Sequence, residues 1–193
     1  MEGEILKSII RSCDACKDHL PFEPNPVFSF TKSSKIVIIG QAPGRKVHES
    51  NIPWDDLSGK KLRSWLGVNE EQFYNPSNFA IIPMAFCYPG KGKTGDLPPS
   101  KVCAPLWHKQ INSYILNTEL TILVGAHAQQ YYLKGKKRKN LTETVRNYHE
   151  FLPDFFPIVH PSPLNFRWHA KNEWFEHDVL PSLYDRVHSI LKV

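Results

Sequence analysis

Four short apolar runs punctuate the chain, at Lys35–Ile39, Phe79–Ile82, Leu120–Val124 and Phe156–Val159. Each is mostly β-branched, aliphatic or aromatic and is bounded by polar or turn-forming residues, the pattern of strands buried on both faces. Between the runs, the apolar positions change to a helical period. Helices are predicted over Glu4–Arg11 (carrying Ile5, Ile9 and Ile10), over Leu106–Leu116, from Gly125-Ala126-His127-Ala128 onward, over Thr142–Tyr148, and over Glu173–Leu191 with a break near Pro181. Ser58 reads as the cap of a helix through Lys61–Leu66 that Gly67 ends. Leu20–Asn25 reads as extended, Arg45–Trp54 as a polar loop without period, and the Gly- and Pro-rich Tyr88–Ser100 as a loop. Strands alternating with helices define the class as α/β: a three-layer α/β/α sandwich around a short, mostly parallel four-stranded sheet. A length of 193 residues suits one domain spanning 1–193.

In such a sheet the strand ends meet at one edge, and ligands bind there. Two tight polar loops leave predicted strands. The first is Gly40-Gln41-Ala42-Pro43-Gly44, and the second is His160-Pro161-Ser162-Pro163-Leu164-Asn165. Gly40 and Gly44 permit backbone angles that other residues avoid, and Pro43 stiffens the turn. A rigid loop of this kind can present N–H groups to a ligand and hold a water. It can equally be a plain structural turn.

Charge and cysteines narrow the picture further. A net charge of +5 favours a polyanionic partner, although a basic protein without a nucleic-acid role fits the same number. No apolar stretch is long enough to cross a membrane. Asp14, Lys17, Asp18 and His19 interrupt any leader-like core in the first thirty residues, so a cytoplasmic location is expected. The cysteines are Cys13 and Cys16, in a C-x2-C pair, and Cys87 and Cys103, with fifteen residues between them. A reducing compartment disfavours disulfides. Two thiol pairs can close a tetrahedral zinc site or hold an iron–sulfur cluster. Four unrelated buried thiols are the alternative.

Taken together and in this order, the two loops resemble the active-site motifs of the uracil-DNA glycosylase superfamily. The segment after the first loop is similar to its iron–sulfur branch, in which a Gly-Glu-Ala-Pro-Gly loop is followed by a Pro-Phe pair and then a small residue and Gly opening a helix. Pro53-Trp54 and Ser58-Gly59 fall on these positions without a gap. The likeness runs from Cys13 to about Leu164. It implies that Trp54 stacks on a base flipped out of the helix, with Gly40 and Ala42 beside it, and that His160 is the donor to the departing base. It further implies a phosphate contact at Ser162, an apolar wedge at Leu164 (Phe166 being a substitute) and a [4Fe–4S] cluster on Cys13, Cys16, Cys87 and Cys103 in preference to zinc. Arg167 and Lys171 are then placed to contact the DNA backbone. The basic run Lys134–Lys139 is either a further phosphate clamp or a solvated face.

Two positions depart from the family pattern. The first loop carries Gln41 where the family has a carboxylate, and an amide can orient a water but cannot take its proton. Pro83 falls where the family places an Asn that reads the pyrimidine edge. The water-activating group is therefore sought in Glu49 and His48 first, then Asp56, with Asp55 beside it. The expected activity is hydrolysis of the base–sugar bond of uracil, or another deaminated base, in DNA by a monomer that does not bind membranes. A non-catalytic binder of uracil-containing or damaged DNA is the rival reading, and a metal-stapled hydrolase of small molecules a third.

Overall fold

The computed structural model describes residues 2–93 and 95–193; residue 94 falls inside the loop expected over Tyr88–Ser100. In chain order the elements are α1 (Glu2–Arg11), β1 (Ile36–Ile39), α2 (Arg45–Ser50), α3 (Leu57–Leu66), α4 (Glu70–Tyr74), β2 (Phe79–Ile81), α5 (Cys103–Tyr114), β3 (Leu120–Val124), α6 (Ala126–Leu133), α7 (Leu141–Arg146), β4 (Phe155–Ile158), α8 (Phe166–Lys171) and α9 (Leu180–Leu191). All pairings in the sheet are parallel, in the order β2-β1-β3-β4.

Because side chains alternate across a strand, each strand feeds two cores. Ile36 and Ile38 point to one face with Phe79, Ile81 and Ile122, where they meet Leu62 and Trp65 of α3 and Leu183 and Val187 of α9. Val37 and Ile39 point to the other with Ala80 and Leu123, where they meet Trp107 and Ile111 of α5 and Ala128 and Leu133 of α6. Burial at this depth stabilises the fold by roughly 1.5–3 kcal/mol for each large apolar side chain. The result is the expected three-layer α/β/α sandwich, with a sheet that is wholly rather than mostly parallel.

Both borders of the sheet are modified. Along β2, residue Ser29 pairs antiparallel with Ile81, exchanging N–H···O bonds of 3.0 and 2.6 Å. At the other border β4 carries Pro157 in register with Leu123.

Helix ends differ from expectation in three places. The polar stretch after the first loop is not irregular: Arg45–Ser50 is helical, with only Val47 buried, and Asn51 ends it in the left-handed region at φ 59°. The cap of α3 is Asp56 rather than Ser58; its carboxylate accepts the Gly59 N–H at 2.8 Å. The break expected near Pro181 is a change of helix type and not an interruption: a π-helical turn over Phe175–Val179, with the Leu180 N–H reaching back to the Phe175 carbonyl, leads directly into α9 and Pro181. The short α4, capped by a reciprocal Asn69–Gln72 box, has no counterpart among the sequence expectations.

Candidate active site

The loops that follow the strands converge as the parallel topology requires. The first is zipped to the chain after β2: Met84 N–H donates to the Gly40 carbonyl at 2.9 Å and Ala85 N–H to the Gln41 carbonyl at 3.1 Å. The second is closed on itself, since the Asn165 amide donates to the His160 carbonyl at 2.7 Å and Leu164 N–H to the Ser162 hydroxyl oxygen at 3.2 Å. Between them opens a cavity of about 410 Å³, within the range of pockets that take small ligands. Gly40, Gln41 and Ala42 line it from one side and His160, Ser162 and Leu164 from the other. Leu164 stands at its mouth 76% exposed, and Phe166 nearby is 62% exposed.

Trp54 lines the cavity beside His160, the two rings in contact with centroids 5.6 Å apart and planes inclined by 33°. Its backbone is held in the left-handed region at φ 59°, an uncommon state for a bulky residue and one that persists only where the surroundings enforce it. Here they do. The Arg63 guanidinium donates to the Trp54 carbonyl at 3.3 Å. Gly59 lies directly beneath, where a Cβ would come within 1.7 Å of that carbonyl oxygen. Gly40 is needed for the same kind of reason. It is not among the positive-φ residues, but a Cβ there would sit 3.0 Å from the indole.

Burial holds the His160 imidazole below its ordinary pKa, with the nearby Asp56 and Asp96 carboxylates opposing the shift. The ring is therefore neutral at physiological pH, with one N–H to donate. Pro83 lines the cavity as a bare ring, its carbonyl taken by the buried His108 Nε2–H at 3.0 Å. His108, also bonded to Tyr132 at 2.7 Å, is pushed down to about 4 by its burial and serves as neutral scaffolding.

The residues ranked first for activating water are not brought to this cavity. Once Arg45–Ser50 is a helix, Glu49 turns back one turn to pair with Arg45 at 2.9 Å, and His48 packs between Phe22 and Tyr88. Asp55 is paired with Lys46 at 3.5 Å. Of the residues considered from sequence, Asp56 alone among the carboxylates lines the cavity, and it is joined by Asp96, which sequence reading passed over as part of a loop. Arg167 and Lys171 lie on the short α8 beyond Leu164, the Arg167 guanidinium resting over the Phe166 ring. No residue of the basic run Lys134–Lys139 lines the cavity, and Arg138 is held by Glu150.

A second, smaller and mostly apolar cavity is lined by Cys13, Cys16, Cys87 and Cys103 together. No disulfide joins them. Cys16 Sγ lies 3.1 Å from the Ser100 hydroxyl. Burial pushes the Cys87 and Cys103 thiols up, to about 11 and about 12, so a bound cation is needed to hold them as thiolates at neutral pH. Among the described residues, no group of three or more His, Cys, Asp or Glu is arranged to grip a single metal ion. Nor, among them, is any helix long and apolar enough to cross a membrane.

A parallel sheet whose loops enclose a cavity at one edge, with an indole and an imidazole packed side by side in its wall, defines an α/β protein with a ligand-sized pocket where such folds bind. The chain belongs to the uracil DNA glycosylase superfamily, whose family profile matches residues 28–183. Among curated proteins it is similar to the type-4 uracil-DNA glycosylase of Thermotoga maritima, 26% identical over 166 residues that span 83% of this chain and 82% of that protein. The type-4 uracil-DNA glycosylases of Saccharolobus solfataricus and Sulfurisphaera tokodaii are 25% and 23% identical, over 82% of this chain and 75% and 74% of their own lengths.

Proposed function

We propose that this chain hydrolyses the N-glycosidic bond of uracil, or of another deaminated base, in DNA and leaves an abasic site. The observation that carries this reading is the packed Trp54–His160 pair in the wall of one cavity, with the exposed Leu164 at its mouth. A base extruded from the helix would stack on the indole, which offers a large flat face. Leu164 would fill the gap left in the duplex. As the bond breaks, the sugar gains oxocarbenium character and negative charge gathers on the base. The His160 N–H and the backbone N–H groups of the first loop would stabilise that charge. The Ser162 hydroxyl, whose oxygen already accepts from Leu164, keeps its own hydrogen for a phosphate. Arg167 and Lys171 would hold the strand beyond it. We read the protein as cytoplasmic and monomeric, the location resting on four cysteines without a disulfide.

Purified protein incubated with oligonucleotides carrying uracil, hypoxanthine or xanthine, followed by alkaline cleavage, is expected to yield strand breaks at the uracil. Retention of such DNA with no break at any of the three bases would hand the site to the non-catalytic reading.

The four cysteines would hold a [4Fe–4S] cluster. Four sulfurs around one apolar cavity fit it, whereas a zinc site needs its donors about 2.3 Å from a single centre. A cluster there would supply the positive charge that these buried thiolates require and would tie the N-terminal segment to the loop after β2. Protein purified without oxygen is expected to be brown and to carry about four irons per chain. Stoichiometric zinc in place of iron would overturn the assignment.

A further inference from the structure

The first loop lacks a carboxylate, yet the cavity does not. Between Cys87 and Cys103 the chain turns back as a small antiparallel hairpin. Leu97 N–H donates to the Gly90 carbonyl at 2.8 Å, Gly92 N–H to the Gly95 carbonyl at 2.7 Å, and Lys91 bridges to Asp96. This hairpin leans over the cavity and brings Asp96 into its wall. The Asp96 Oδ2 atom lies 3.5 Å from the point where a Cβ on Gly44 would stand, and Asp56 Oδ2 lies 4.0 Å from the same point. Two carboxylates from distant segments thus meet beside the loop that holds Gln41.

Their settings differ. Asp56 Oδ1 is engaged by the Gly59 N–H as the cap of α3, which fixes this carboxylate in a structural role. Among the described residues, Asp96 accepts only a long bond, 3.4 Å, from the Tyr88 hydroxyl to its Oδ1. It is exposed at the mouth of a cavity in a protein of net charge +5. A free carboxylate facing a polyanionic partner weakens binding, so its position there calls for a use.

We propose that Asp96 is the catalytic base of the reaction described above, a role that rests on that glycosylase reading. The bond between the anomeric carbon and the base nitrogen breaks, and its electron pair leaves with the base, which His160 stabilises. A water oriented by the Gln41 amide forms the new carbon–oxygen bond, and its proton passes to Asp96. The departing base then takes up a proton from solvent and Asp96 releases one, so the sum is substrate plus water giving an abasic sugar and the free base. The fixed negative charge of Asp56 faces the cationic sugar while this happens.

Single-turnover excision from uracil-containing single strands, set beside affinity for the same oligonucleotide carrying a tetrahydrofuran abasic analogue, tests the assignment. Asp96→Asn should lower the rate by roughly 10²–10⁴-fold while leaving affinity unchanged or tighter. Asp96→Glu should recover part of the rate. A purely structural role would lower rate and affinity together. A wild-type rate in Asp96→Asn, or an equal loss of rate and affinity, overturns the proposal and leaves the glycosylase reading standing. A wild-type protein inert on every base overturns both.

Discussion

Replacing His160 with Ala should lower single-turnover excision of uracil by roughly 10²–10³-fold, the usual cost of losing one preorganised donor. The side chain reaches the cavity from the end of β4, where its loop is fastened by the Asn165 amide, so the ring needs no rearrangement as charge develops. Burial keeps it neutral, and Asp56 and Asp96 only partly offset that shift. Any step in the rate–pH profile due to His160 should therefore fall below the ordinary imidazole range near 6.5. A neutral imidazole donates a hydrogen bond without adding a positive charge beside the cationic sugar. Affinity for the tetrahydrofuran oligonucleotide should change little, because the interaction strengthens only as the base departs. An unchanged excision rate in a folded His160→Ala protein would remove this residue from the mechanism.

Gly59→Ala should be nearly as damaging, although the residue touches no substrate. The added methyl would overlap the Trp54 carbonyl oxygen, which lies 1.7 Å from the position of that Cβ. Relief requires the strained turn at Trp54 to move, and the indole moves with it. A displacement of about 1 Å at a positioning group can cost on the order of 10²-fold in rate. The overpacking itself should destabilise the fold by about 1–3 kcal/mol. Thermal melting would report the second effect and single-turnover kinetics the first. Here, unlike in Asp96→Asn, affinity for the tetrahydrofuran oligonucleotide should also fall, since Trp54 shapes the pocket itself. Full activity in Gly59→Ala would show that the left-handed turn at Trp54 is incidental.

Much of this arrangement is legible in the sequence because apolar runs are local signals. Ile36–Ile39 and Leu120–Val124 can hardly be anything but buried strands, and a parallel sheet then dictates that Gln41 and His160 share an edge. Less legible is anything decided by side-chain direction within a polar stretch. Arg45–Ser50 carries one buried residue, Val47, so no period betrays the helix that turns Glu49 and His48 away from the cavity. Asp96 was invisible for a different reason. Its hairpin is held by backbone bonds, which leave no pattern in the residue types, and its approach to Gly44 joins segments some fifty residues apart. Asp56 illustrates a middle case: Asp is a capping residue type, but so is Ser58 two residues on, and residue type alone does not choose between them.

The treatment of the sheet's borders bears on how the molecule behaves at high concentration. An unprotected border strand presents a row of unpaired backbone groups that can recruit further chains, the first step toward fibrous growth. Ser29 occupies that row along β2 at Ile81, using both backbone groups of that residue. Along β4 the Ile158 carbonyl is spent inward on the Gly125 N–H, so the alternation of the strand turns the Pro157 nitrogen outward, where it has no hydrogen to offer an incoming strand. A core this rich in short, sticky β-forming runs is thereby kept from acting as a seed for its own aggregation.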